Sequence, residues 1–185
     1  MSNLETLSKQ LDPLTDTTHP PVHLWTPEHI GDIDIVIRHD GQWLHEGELI
    51  QREALVKLFA GILWFEQGQY YLKTPAEQLK ISVETTAFLI TSMEVLDAGT
   101  DTQQIVFYTH YGDRITLSEK HSLFLDTQLI PNQEVPLLNV RYHMNARLSR
   151  SVFNELIEYG EHLSDSHGES LRFLSQQHYS TLAFN

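Results

Sequence analysis

The dipeptide Asp40-Gly41 constrains this fold most, because of what stands on either side of it. Before it, Ile33, Ile35 and Ile37 alternate with Asp34, Val36 and Arg38, the period-two pattern of a strand with one buried face. After it, Trp43-Leu44-His45 reads as the returning strand. Asp-Gly is a strong signal for a two-residue type I′ hairpin turn, since both residues tolerate positive φ. Such a turn pairs His39 with Gln42, Arg38 with Trp43 and Ile37 with Leu44. The isoleucines and Leu44 then share one face. Val36, Arg38, Trp43 and His45 share the other, with the Arg38 guanidinium against the Trp43 ring.

The period then lengthens. Leu55, Leu58, Phe59, Ile62 and Leu63 form one helical stripe, with Gly68 as a stop. Tyr70-Tyr71-Leu72 reads as a strand, and Thr74-Pro75-Ala76-Glu77 has the form of a capping box that predicts one helical turn. Strands are expected at 79–83 and 88–95, and the domain junction at 98–102. Beyond it come a hairpin (105–108 and 114–117, turning at Tyr111-Gly112-Asp113), a loop flanked by Pro131 and Pro136, and a strand over 137–143. Val152, Phe153, Leu156 and Ile157 then mark a second amphipathic helix with Ser149 as its cap. The polar segment 164–185 carries no clear pattern. At the other end, Leu4, Leu7, Leu11 and Leu14 predict a helical arm, before Pro13, Pro20, Pro21 and Pro27 break the pattern.

These elements predict an α+β fold: an arm over 1–20, a first α+β domain over 21–98 and a second over 99–185 with a C-terminal tail. In both halves a hairpin precedes a helix entered through arginine, Arg52 in one and Arg150 in the other, which suggests a duplicated unit.

Composition narrows the function classes. A content of 41% hydrophobic and 20% charged residues belongs to a folded globular chain. No apolar run approaches the about 20 residues that span a bilayer, and the N-terminus lacks signal-peptide character, so a cytoplasmic location is expected. The absence of cysteine removes disulfides, thiolate ligands and a cysteine nucleophile. A net charge of −13 argues against an extended nucleic-acid surface, whose strength comes from Lys and Arg displacing counterions. A small phosphate-bearing ligand needs only a few local cations and stays open.

Arg141, Arg147 and Arg150 are the main chemical oddity, three cations close together in a chain with 12 basic and 25 acidic residues. A cation at a helix N-terminus opposes the macrodipole unless an anion shares the spot. Two readings stay open for them and for Arg52: a pocket for an anion, or ion pairs with the chain's own carboxylates. Trp43, His45, Glu46 and Arg38 fit either a small-molecule cleft or a tryptophan covering the sheet. Thr74 and Glu77 read as caps. No HExxH, EF-hand, Gly-rich phosphate loop or GxSxG elbow is present, and His162, Asp165 and His167 have no standard ligand spacing. No metal or cofactor is expected.

The stretches Asp40 to Gly47, Ile50 with Arg52, Leu58-Phe59 and Leu72 to Glu77 resemble a bacterial family known as domain-of-unknown-function family 1285. So do Leu138 to Arg141, Ala146 to Arg150 and Val152-Phe153, and the resemblance runs from about Pro20 to Leu163. It implies two similar domains, each a curved antiparallel sheet with a packed helix, the second pleckstrin-homology-like. It also implies a nucleotide-like ligand between the domains and a link to signalling. Carried onto this chain, the implied ligand residues are Trp43, Arg52, Lys73, Arg141, Arg147 and Arg150. The leading expectation is therefore a ligand-binding or signalling accessory protein rather than an enzyme. The alternatives are a protein-interaction module without a small ligand, or a phosphoester hydrolase using His45 or Glu46.

Overall fold

The structure, a computed structural model, describes residues 20–165 and 168–184. The leucine stripe from Leu4 to Leu14 and His167 lie outside these residues. The chain divides between Glu84 and Thr85 into two compact units. This corrects the expected junction at 98–102, which is the turn of a hairpin. Asp97 and Gly99 adopt positive φ there and Thr100 N–H donates to Asp97 O, so the same residues that suit a linker suit a turn.

In the first unit, strands β1 (His29–Ile37), β2 (Trp43–His45) and β3 (Glu48–Leu49) precede helix α1 (Glu53–Gly61). Strands β4 (Leu63–Glu66), β5 (Gln69–Lys73) and β6 (Glu77–Val83) follow it. The six-stranded sheet runs β3-β2-β1-β6-β5-β4 and is antiparallel except where β6 lies parallel to β1. The expectation of an antiparallel sheet is corrected to a mixed one. Local patterns cannot reveal this pairing, because β1 and β6 are far apart in sequence.

The β1–β2 turn holds three residues, not two. Arg38 pairs with Gln42 through the bond Arg38 N–H to Gln42 O (2.8 Å), Gly41 N–H donates to Arg38 O (3.0 Å), and Gly41 has φ 85°. This is a type I turn closed by a left-handed glycine. Ile37 therefore faces Trp43, and Ile35 faces His45. A one-residue slip moves every side chain to the opposite face. Trp43 joins the isoleucines in the core, and Arg38 lies on the other side. The Trp43 ring packs 6.0 Å from Phe59 of α1, which buries Leu55, Phe59 and Ala60 against this face.

Helix α1 ends at Gly61, earlier than its apolar stripe predicts. Gln67 and Gly68, at φ 51° and 78°, form a true type I′ turn that pairs Leu63 with Leu72. An apolar run such as Leu63-Trp64-Phe65 fits helix and strand equally, and cross-strand pairing decides it. Likewise Thr74 caps no helix. Its hydroxyl accepts the N–H groups of Ala76 (3.2 Å) and Glu77 (3.0 Å), closing the tight β5–β6 turn with capping chemistry.

The second unit opens with β7 (Phe88–Leu96), β8 (Gln104–Thr109) and β9 (Arg114–Thr116), then β10 (Leu123–Asp126), β11 (Val135–Arg141) and β12 (Met144–Leu148). Its six-stranded sheet runs β10-β11-β12-β7-β8-β9, with β12 parallel to β7. This strand order matches the first unit's: two three-stranded meanders, the last strand beside the first. The helix does not match. α1 connects the two meanders of its unit, whereas α2 (Arg150–Ile157) follows β12 and packs on β7.

The polar C-terminal segment forms a three-stranded antiparallel sheet, β13 (Glu161–Asp165), β14 (Gly168–Ser175) and β15 (His178–Ala183). Leu171, Phe173 and Leu182 are its buried apolar residues. Ser175, 1% exposed, ties it to β8: its hydroxyl donates to Leu117 O (2.8 Å) and accepts Ile105 N–H (3.1 Å). The described residues thus form two β-rich units with curved mixed sheets and two α-helices. No described helix is long and apolar enough to cross a membrane.

Candidate functional site

The faces of the first sheet assign its side chains to different tasks. Leu63, Leu72, Leu79 and Ile81 point into the core beneath α1. On the opposite, outer face, register sets Trp64 beside Tyr71, Tyr71 beside Lys80, and Lys73 beside Gln78. Tyr71 and Lys73 share this face because they are two apart on β5. The outer face therefore carries Trp64, Tyr71, Lys73, Lys80 and the amides of Gln69 and Gln78, with Glu66 two residues past Trp64 and Asp32 paired with Lys80.

Lys73 is the unusual member. It is 7% exposed, with its Nζ 4.3 Å from the centroid of the Trp64 ring. Its backbone is fixed by Lys73 N–H donating to Ile62 O (3.0 Å). Among the described residues its ammonium has no hydrogen-bond or ion-pair partner. Burial pushes its pKa down, and the Glu66 carboxylate pulls it partly back. Gln78, opposite it, is also 7% exposed. The sequence reading missed Trp64, Tyr71 and Gln78. The signal was the Gln67-Gly68 turn, which puts Trp64 and Tyr71 on one face.

The other first-unit residues expected at a ligand site lie elsewhere. Trp43 is 1% exposed and lies in the core. His45 shares its face, half-buried opposite Ile35, while Glu46 forms the next turn at φ 50°. Arg52 is the exposed N-cap of α1, with no side-chain cap bond. Glu53 in the first turn supplies the negative charge that the helix dipole prefers.

In the second unit, the three arginines do not converge on one face. The β11–β12 turn holds only Tyr142 and His143, so Arg141 pairs with Met144 and leaves the same face. Arg147 is three positions past Met144 and leaves the opposite face. Arg141 already meets a carboxylate: its Nη1 lies 3.3 Å from Asp113 Oδ2, with side chains 16% and 11% exposed. Its guanidinium stacks 4.8 Å from the Phe88 ring, which meets Tyr111 edge-on. Asp113 is held in the β8–β9 turn, where Thr109 Oγ1 accepts its N–H (3.0 Å). Arg150 is exposed at the start of α2, whose cap is the Ser149 hydroxyl accepting Val152 N–H (3.4 Å). For Arg141, ion pairing is the arrangement found. No group of three His, Asp or Glu among the described residues is placed to hold a metal.

Residues 20–86 match the N-terminal domain of the domain-of-unknown-function family DUF1285, and residues 87–179 match its C-terminal domain. The chain belongs to this family. The boundary between the two matches falls close to the division between the units. A crystal structure of a DUF1285 protein from Silicibacter pomeroyi DSS-3 superposes with a TM-score of 0.86 at 30% identity, over 99% of this chain and 96% of that one. A second, from Shewanella baltica OS155, gives 0.52 at 21% identity, over 67% of this chain and 90% of that one, and shows likeness of fold. No curated protein matches this DUF1285 chain.

Proposed function

We propose that this DUF1285 chain is a cytoplasmic binding protein for a small anionic, nucleotide-like ligand, with Lys73 as the cation that receives it. The observation that carries this reading is the ammonium over Trp64, 7% exposed as a residue and without a carboxylate partner among the described residues. Burial makes the ammonium charge less favourable than it is in water. The cation–π contact with Trp64 returns part of that cost. An incoming anion would offset the remainder. Trp64 and Tyr71 supply flat apolar surface for a ring, so the set suits a ligand with both a ring and a phosphate. A signalling role belongs to the same reading, with occupancy of the site as the signal.

The test is a thermal-shift titration with inorganic phosphate, adenosine monophosphate and adenosine triphosphate, on the wild type and on Lys73→Met. A ligand at about 100 times its Kd adds about 2.7 kcal/mol of stability, which raises the Tm measurably. The wild type should respond to at least one nucleotide, and Lys73→Met should not. The reading fails if none raises the Tm, or if Lys73→Met responds as the wild type does.

A further inference from the structure

Lys73 combines a buried stem with an accessible tip. The residue as a whole is 7% exposed, yet its Nζ is not among the partnerless side-chain nitrogens and oxygens that are sealed from solvent. With no hydrogen bond to hold its proton among the described residues, the nitrogen is free to act as a base or nucleophile. The neighbouring Trp64 ring offers π-density to a cation but no acceptor oxygen.

We propose that Lys73 is a reactive amine that captures a small carbonyl compound bearing an anionic group, holding it as an imine. The proposal rests on the reading of this face as a ligand site and names the chemical class of the ligand. In the step, the ammonium first gives its proton to solvent. The nitrogen lone pair then adds to the carbonyl carbon, and the carbonyl π electrons move to oxygen. Proton transfer from nitrogen to oxygen gives a carbinolamine, whose hydroxyl takes a proton from solvent and leaves as water while the nitrogen lone pair forms the C=N bond. No oxidant or reductant is consumed. The product is a protonated imine, so positive charge stays over Trp64 and faces the ligand's anionic group. Burial lowers the pKa of Lys73, against the pull of Glu66, and so raises its neutral fraction above that of a solvated lysine.

The experiment treats the full chain at pH 7 with pyridoxal 5′-phosphate as an anionic aldehyde probe, and with pyridoxal as its phosphate-free counterpart. Borohydride reduction then fixes any imine for peptide mass spectrometry. Lys73 should carry several-fold more label than Lys57, Lys80 or Lys120, the direction its lowered pKa requires. Pyridoxal should label it less than the phosphorylated probe. Lys73→Arg lacks a primary amine, so it should lose the imine absorption band and the label on this peptide. Labelling of Lys73 no greater than that of the other lysines overturns the proposal. If the Lys73-dependent thermal shift persists in that case, the anion site stands and only the imine falls. If it is also absent, both fall.

Discussion

Replacing Trp43 by alanine separates a core residue from a ligand-lining one. The Trp43 ring is 1% exposed and packs 6.0 Å from Phe59, so its removal opens a cavity between α1 and the sheet. Truncating a buried aromatic to alanine costs about 3–5 kcal/mol. Trp43→Phe keeps a ring in place and should cost about 1–2 kcal/mol, from the apolar area lost. Trp25, Trp43 and Trp64 all precede Glu84, so tryptophan fluorescence in a urea titration follows the first unit alone. With a urea slope of about 1–2 kcal/mol per molar, Trp43→Ala should lower the midpoint by about 2 M or more, and Trp43→Phe by about 1 M. The remaining tryptophans report the transition in both variants. A shift below about 0.5 M for Trp43→Ala would refute the three-residue hairpin register and return Trp43 to the opposite face.

Three further outcomes are expected. Asp113→Ala strips the carboxylate from Arg141 and should destabilise the second unit by about 3 kcal/mol, seen as a far-UV circular dichroism melt that falls below the tryptophan signal of the first unit. Coincident melts at the wild-type temperature would count against it. Arg52→Asp places a good capping residue at the start of α1 and should stabilise the first unit by about 0.5–1 kcal/mol; no gain in the fluorescence midpoint contradicts the local account. Glu84 accepts the His39 N–H (2.8 Å) and lies 3.0 Å from His39 Nδ1, and these contacts hold its carboxyl below the usual carboxylate range. Its contribution is therefore present above the unfolded-state pKa, about 4.3, and lost as pH falls through the lower folded value. Glu84→Gln should flatten this acid-range decline in Tm, and identical profiles would exclude the contact as its source.

Local patterns carried much of the fold. The alternation from Ile33 to Ile37, the hairpin at 105–117 and the helix behind Ser149 need only neighbours in sequence, and each lies where its spacing puts it. The errors arise where two local solutions are nearly equal in energy. Asp40-Gly41 suits a turn of either length, and the packing of Trp43 on Phe59 selects the longer one. Leu63 to Phe65 fits a helix until β5 pairs with it. The strands of the C-terminal sheet alternate too weakly to stand out, since Ser175 occupies an inward position that apolar residues usually fill. For the candidate site, sequence shows which residues are cationic but not which face each leaves. Lys73 was among the expected ligand residues. Its neighbours Trp64, Tyr71 and Gln78 follow only from register, and Arg141 and Arg147 are parted by a two-residue turn.

The parallel pairs at the centres of the two sheets also govern biosynthesis. In the first unit, β1 needs β6 beside it, so the centre stays incomplete until Val83 has left the ribosome. Up to that moment Ile33, Ile35 and Ile37 border an open strand edge, a hazard for association with other nascent chains. Once Val83 has emerged, the unit has every strand it requires and can close while Thr85 onward is still being translated. A truncation after β5 should therefore aggregate, whereas one made at Glu84 should remain monomeric.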